Sequence, residues 1–160
     1  MWYNNAMKKS LFIFLSFITC LTSCKKEATF SYEDLLKSDV STLSSTTEFK
    51  EEPTYFTSTL SREEKNNSYN YTFIFENFTK DLKEVRTVIE FKNDSNLKYV
   101  FFGYETNYEI VSDKSKTDKE KNIVPGFAIY STFDFSVDEV NVLFKSTTEN
   151  VLYKKKVLKK

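Results

Sequence analysis

Apolar and polar residues alternate with a period of two along most of the chain after residue 52. In one segment, Tyr69, Tyr71, Phe73 and Phe75 fall on one face, and most residues between them are polar. This is the alternation of a half-buried β-strand. Similar runs predict eight strands, near 54–61, 69–77, 84–92, 97–102, 107–112, 127–133, 139–145 and 150–157.

Segments rich in Asn, Asp and Ser, such as 65–68 and 93–96, separate these runs and are typical of turns. Seven or eight short strands joined by such turns, with no helical periodicity after residue 50, predict an all-β fold. We expect an antiparallel β-sandwich over residues 53–160. The alternation places six large apolar side chains in its core: Phe73, Phe75, Ile89, Ile129, Val142 and Phe144.

One segment adds a resemblance to a known fold. Asn77-Phe78-Thr79-Lys80-Asp81-Leu82, followed by Val85, gives the order strand, Asn-led turn, leucine, strand. This order resembles the small immunoglobulin-like modules of bacterial envelope proteins, including the FxLYD type, in which such a leucine closes one end of the sandwich. The resemblance covers residues 69–92. It implies an immunoglobulin-like sandwich and says nothing about activity.

The N-terminal region has a different pattern. Lys8 and Lys9 precede an apolar run at 11–21, which ends in Leu21-Thr22-Ser23-Cys24. A transmembrane helix would need roughly 20 apolar residues, whereas this run is shorter, contains polar residues and is followed by lysines. Its length is that of the apolar region of a signal peptide. The sequence therefore predicts an export signal, for which we take Met7 as the true start.

The ending Leu21-Thr22-Ser23-Cys24 resembles the lipobox of bacterial lipoproteins. The resemblance implies that residues 1–23 form the signal peptide and are removed, and that Cys24 is acylated and becomes the new N-terminus. The protein would then be anchored by lipid in the cell envelope, on the outer side of the cytoplasmic membrane or in the outer membrane. The membrane is its first expected partner.

Between this signal and the first strand, residues 24–52 are mostly polar and predict a tether. Ser31 and Asp34 have the spacing of a capping box ahead of two leucines, which predicts a short helix at about Tyr32 to Lys37. The Ser- and Thr-rich stretch 38–47 has no apolar periodicity.

Composition limits the chemistry. The chain has 23 basic and 23 acidic residues, so no nucleic-acid partner is expected. It contains no His, and both cysteines, Cys20 and Cys24, lie in the signal region. A zinc site and a nucleophile activated by His are therefore excluded, and we expect no cofactor.

The chain is rich in aromatic residues, with 16 Phe and 10 Tyr. Phe101, Phe102, Tyr104 and Tyr108 exceed what two-fold alternation would bury on one face, so some of these rings are candidates for an exposed contact with an envelope protein or a glycan. The alternative is that they belong to the core. The sequence favours a non-catalytic binding or structural module.

A second class of function stays open. Carboxylates such as Glu105, Glu109, Asp134 and Asp138 leave room for a small envelope hydrolase that uses a carboxylate pair. Two such groups facing each other across a cleft would favour the hydrolase. An aromatic surface without nearby paired acids would favour the binding module.

Overall fold

The computed structural model describes residues 31–159, so the predicted signal peptide and Cys24 lie outside the described residues. Within this range no helix is long and apolar enough to cross a membrane. The α-helix in this range is α1 (Tyr32–Ser45), and two short 3-10 helices lie at Lys114–Lys116 and Lys119–Lys121. The strands are β1 (Thr57–Lys65), β2 (Ser68–Glu76), β3 (Leu82–Lys92), β4 (Leu97–Phe102), β5 (Tyr108–Ile110), β6 (Ile123–Val124), β7 (Phe127–Phe133), β8 (Glu139–Lys145), β9 (Asn150–Lys156) and β10 (Leu158–Lys159).

The strands form two sheets around one apolar core, in a β-sandwich-like arrangement. One sheet has the order β10-β1-β2-β7. The other has the order β6-β5-β3-β8-β9, and β4 pairs with β3 beside β5. Large rings interlock between the sheets; the ring of Tyr71 in β2, for example, meets that of Phe91 in β3 edge-on, with centroids 4.9 Å apart. All six residues predicted for the core are buried.

The eight predicted strands are present, to within four residues at each end, and the hairpins among them are antiparallel. Two short additional strands pair differently. β10 runs parallel to β1, with Ser61 opposite Leu158, and β6 runs parallel to β5, with Glu109 opposite Ile123. Purely antiparallel sheets were therefore a wrong expectation. Parallel pairing arises here because β10 crosses from one sheet to the other, and β6 follows a long connection rather than a hairpin.

The helix α1 begins as its capping box predicts, since the Ser31 hydroxyl accepts a hydrogen bond from the backbone N–H of Asp34. It is longer than predicted and continues to Ser45. Leu43 on its buried face packs with Val88 of β3 and Leu143 of β8, on the outer face of the six-stranded sheet.

The predicted tether at 24–52 is therefore corrected for its described part. Residues 31–45 are helical and packed on a sheet, and Lys50 donates its backbone N–H to the carbonyl of Leu152 in β9. The physical reason is visible in β3, where five consecutive residues, 87–91, are buried because the core covers one face and α1 covers the other. A strand buried on both faces needs a covering layer.

Candidate functional site

The four aromatic residues predicted to bind a partner lie at the end of β4, in the loop that follows it, and at the start of β5. Successive side chains of a strand point to opposite faces. Phe102 accordingly joins the core between the sheets, whereas Phe101 meets Tyr104 on the outer face, with ring centroids 6.0 Å apart. The rings of Phe101 and Phe102 therefore lie on opposite faces of the sheet, although all four residues line one open hollow at this end of β4.

Phe102 and Tyr108 are half-buried. The ring of Phe102 lies parallel to that of Phe127, with centroids 4.0 Å apart, and the ring of Tyr108 lies 4.4 Å from Phe102. These contacts join the edge of one sheet to the edge of the other. Both rings thus hold the sandwich together and present only part of their surface to a partner.

For Tyr104 the structure shows the buried alternative. Its side chain is 3% exposed, and its hydroxyl donates a hydrogen bond to Oδ2 of Asp39 in α1 at 2.8 Å. Gly103 makes this possible, because its backbone has φ +81° and a Cβ there would meet the carbonyl oxygen of Val85 at 2.1 Å. The glycine lets the chain turn tightly against β3, and this turn carries the Tyr104 ring under the helix.

Phe101 is the one of the four that is largely exposed, at 46%. It borders an open hollow of about 230 Å³, which is also lined by Phe102, Tyr104, Glu105, Thr106 and Tyr108. An exposed ring beside a carboxylate and a hydroxyl is a suitable surface for stacking and hydrogen bonding. The candidate binding surface is therefore reduced to this hollow.

One buried, ion-paired carboxylate in the described residues was not indicated by the sequence. Asp39, 1% exposed, lies in the middle of α1 against the outer face of the six-stranded sheet. Its carboxylate accepts hydrogen bonds from Nε of Arg86 in β3 at 2.8 Å, from Nζ of Lys145 in β8 and from the hydroxyl of Tyr104. One residue of the helix is thus bonded to β3, to β8 and to the loop that follows β4.

The electrostatics of this cluster follow from its partners. Burial by itself raises the pKa of Asp39, but the hydrogen bonds from Lys145, Arg86 and Tyr104 outweigh it and lower the pKa below the ordinary 3.8. Burial, followed by the hydrogen bond to the Asp39 carboxylate, raises the pKa of Tyr104 above its ordinary value. At neutral pH the cluster contains one anion, two cations and a neutral phenol. Because every partner is engaged, we assign it a structural role.

A second polar hollow lies at the other end of β3. It has a volume of about 380 Å³, and the carboxylates of Glu90, Asp138 and Glu139 line it together with Asn141 and Lys154. Glu90 is buried and accepts hydrogen bonds from the Tyr99 hydroxyl at 3.0 Å and from Asn141 Nδ2 at 2.8 Å. Glu139 pairs with Lys154 at 3.1 Å. Three acidic groups therefore line one hollow, although Glu90 is already hydrogen-bonded and Glu139 is already paired with a lysine.

The four carboxylates considered from the sequence do not form one group, because two lie near each end of β3. Glu105 and Glu109 lie near the first residues of β3, because β5 pairs with Leu82 and Val85. Asp134 and Asp138 lie near its last residues, in the β7–β8 connection. Only Asp138 borders the acidic hollow. Within residues 31–159, no three acidic or thiol side chains are grouped as metal ligands.

Comparisons with known proteins add no further constraint on these sites. No family model, no curated protein and no solved structure matches the chain.

Proposed function

We propose that this chain is a lipid-anchored bacterial envelope protein that carries a non-catalytic, immunoglobulin-like binding or structural module. The observation that carries the proposal is the lipobox-like Leu21-Thr22-Ser23-Cys24 directly ahead of the folded module. The first helix of the module is packed on the sheet, and its cap, Ser31, lies seven positions after Cys24. An extended chain spans at most about 3.6 Å per residue. An acyl group on Cys24 would thus hold the module within about 25 Å of the membrane surface.

The strand order supports the immunoglobulin-like part of the proposal. If β1, β2, β3, β7, β8 and β9 are lettered A, B, C, E, F and G, one sheet contains A-B-E and the other contains C-F-G. These are the neighbours found in immunoglobulin-like sandwiches. β4, which pairs with β3, takes the place of C′. The additional strands β5, β6 and β10 lie at the sheet edges and leave this order intact.

For the binding part, the exposed ring of Phe101 and the hollow beside it are the proposed contact surface for an envelope protein or a glycan. Aromatic anchors commonly supply much of the energy of such contacts. Phe102 and Tyr108 line the same hollow, and Tyr104 supports Phe101, whose ring meets it edge-on.

Membrane fractionation of cells tests the anchor. Wild-type protein is expected in the membrane fraction with the mass increment of acyl chains, and Cys24→Ser is expected in the soluble envelope fraction, because acyl burial supplies about 0.8 kcal/mol per CH₂. Cys20→Ser is the matched control and should remain in the membrane fraction. Identical fractionation of both variants, with no added mass on the wild type, would contradict the anchor.

The acidic hollow keeps a second candidate open, a small envelope hydrolase with a carboxylate pair drawn from Glu90, Asp138 and Glu139. Incubation of the purified protein with envelope polysaccharide distinguishes the two. The binding proposal expects no hydrolysis and a loss of polymer or cell attachment in Phe101→Ala. Hydrolysis that Glu139→Gln abolishes would favour the second candidate instead.

A further inference from the structure

The strand β7 is an edge strand whose own residues lack the usual protection, and β4 of the other sheet approaches it at the Phe127 end, where the rings of Phe102 and Phe127 stack. Among residues 31–159 it pairs only with β2, so one side of its backbone has no strand partner in this range. Its seven residues, Phe127–Phe133, contain no charge and no proline. Natural sheets generally protect an edge of this length with lysine, proline or a bulge, because an unprotected edge recruits another strand.

The other long edges are protected. β4 carries Lys98, β9 carries Lys154, Lys155 and Lys156, and Lys50 bridges to β9 along its outer side. β10 is only two residues long. The difference is therefore specific to β7. At the centre of β7, Tyr130 is 74% exposed, the highest value among the exposed large hydrophobic side chains.

We propose that β7 pairs antiparallel with β7 of a second copy of this chain, with a two-fold axis at Tyr130. Side chains of paired strands must match face to face, so the axis has to pass through a residue rather than between two. Only the axis at Tyr130 pairs all seven residues. It sets Tyr130 opposite its own copy, Ala128 opposite Thr132, Ile129 opposite Ser131 and Phe127 opposite Phe133. The two four-stranded sheets then become one sheet of eight strands.

Charge complementarity favours a second copy as the occupant. Continued by one position, the same register sets Asp134 of one copy opposite Gly126 of the other. Lys114 lines the open hollow that contains Gly126 and Phe127. Each end of the joined strands therefore brings an exposed aspartate close to a lysine, and symmetry provides this contact twice. The equivalent self-pairing of β9 would bring like-charged lysines together, which is unfavourable.

The contact joins two seven-residue strands and is smaller than a standard stable interface. We therefore expect a dimer that forms and separates with protein concentration. This inference concerns β7 alone and does not depend on the function proposed above.

Cysteine cross-linking tests the register in the full chain carrying Cys20→Ser and Cys24→Ser. Directly opposite residues of an antiparallel pair have Cα atoms about 4.5–5.5 Å apart, within the range of a disulfide. Tyr130→Cys should therefore give a dimer on non-reducing gels. Thr132→Cys alone should not, because its copy lies four positions away, about 13 Å. Mixed Ala128→Cys and Thr132→Cys chains should cross-link to each other.

Charge reversal in the Tyr130→Cys chain provides the second measurement. Asp134→Lys alone and Lys114→Asp alone should each lower the cross-linked fraction about threefold, the size expected for exposed pairs. The two together should restore it. Residues 114 and 134 lie at opposite ends of β7 in one copy, so restoration must act between copies.

Equal cross-linking at residues 130 and 132 would overturn the register, and a monomer at every concentration would overturn the dimer. Tyr130→Lys serves as the disrupting variant, because it places two like charges opposite each other at the two-fold axis. Residue 130 is exposed, so the substitution should leave the fold of the monomer unaffected. It should remain monomeric at concentrations where wild type and Tyr130→Phe associate.

Discussion

The carboxylate of Asp39 in α1 and the guanidinium of Arg86 in β3 form an ion pair beneath the helix, with Oδ2 and Nε 2.8 Å apart. The helix and the sheet are thus joined by more than apolar packing. Asp39 is buried, whereas Arg86 and Lys145 each keep about a fifth of their side-chain surface exposed. The two cations can therefore remain hydrated, while the anion depends on its partners.

Asp39→Asn should destabilise the protein by about 3 kcal/mol, because it leaves two cations facing an amide in a site built for a carboxylate. Urea unfolding measures this loss. Hydrogen exchange should show the amides of α1 opening before those of β3, since the cluster holds the helix and the core holds the strand.

Glu33→Gln is the matched control for Asp39→Asn, because Glu33 lies in the first turn of the same helix and is exposed. Its loss should be at most about 0.5 kcal/mol, from the weaker interaction with the helix N-terminus. Equal losses in the two variants would show that the buried pairs add no stability beyond a surface charge.

The same carboxylate gives the fold a pH dependence. The folded-state pKa of Asp39 is lowered below the ordinary 3.8, so its ionisation contributes stability at pH values above about 4, and this contribution is lost as the pH falls through the folded pKa. The unfolding free energies of wild type and Asp39→Asn should therefore differ at about pH 7, and this difference should become smaller at about pH 3. A difference that persists unchanged at the lower pH would contradict the ion-pair account.

The strands could be predicted from the sequence because each one shows its burial in its own residues. Tyr71, Phe73 and Phe75 alternate with polar residues, and the side of the sheet on which they lie follows from that alternation alone. β1 was placed too early because its second half, Arg62–Lys65, is polar. It continues as a strand only because it pairs with the aromatic first half of β2.

The packing of α1 could not be predicted in the same way. Asp39 and Leu43 are the buried residues of the helix, and neither stands out within a stretch rich in Ser and Thr. The residues that bond to the Asp39 carboxylate lie more than 40 positions away in the sequence. One indication was present in the sequence, since the adjacent Val88 and Ile89 break strict alternation, and the structure covers both faces of the strand there. The sequence left Tyr104 open between an exposed contact and the core for the same reason, because its burial depends on α1.

Substitutions of the aromatic residues at the end of β4 should differ in how much they lower the unfolding free energy. Tyr104→Phe removes the hydrogen bond to a buried carboxylate and should cost about 1.5–3 kcal/mol of unfolding free energy. Phe101→Ala removes a half-exposed ring and should cost less than 1.5 kcal/mol, roughly half of a full burial. Thermal or urea unfolding of the two variants measures this. The opposite ranking would move the binding hypothesis away from Phe101.

The turn between β1 and β2 offers a stabilising substitution. Asn66 and Asn67 are its two central residues, and both have positive φ, 52° and 60°. Two positive φ values in a two-residue hairpin indicate a type I′ turn, which favours Asn at the first position and Gly at the second. Asn67→Gly should therefore raise the unfolding free energy by up to about 1 kcal/mol, because glycine adopts the left-handed conformation without steric cost.

Two further variants show whether the gain comes from this backbone geometry. Asn67→Val should lower stability by about 1–2 kcal/mol, since a β-branched residue is strained at positive φ even though it favours strands. Asn96→Gly is the matched control. Asn96 lies in another turn, is absent from the residues with positive φ, and donates its N–H to Asn93 Oδ1 at 2.9 Å. Glycine there adds freedom to the unfolded chain and removes the exposed hydrogen bond from Asn96 Nδ2 to Asn93 Oδ1 at 3.2 Å, so it should lower stability slightly. If both glycine variants shifted the urea midpoint in the same direction, the left-handed geometry at residue 67 would not be the cause.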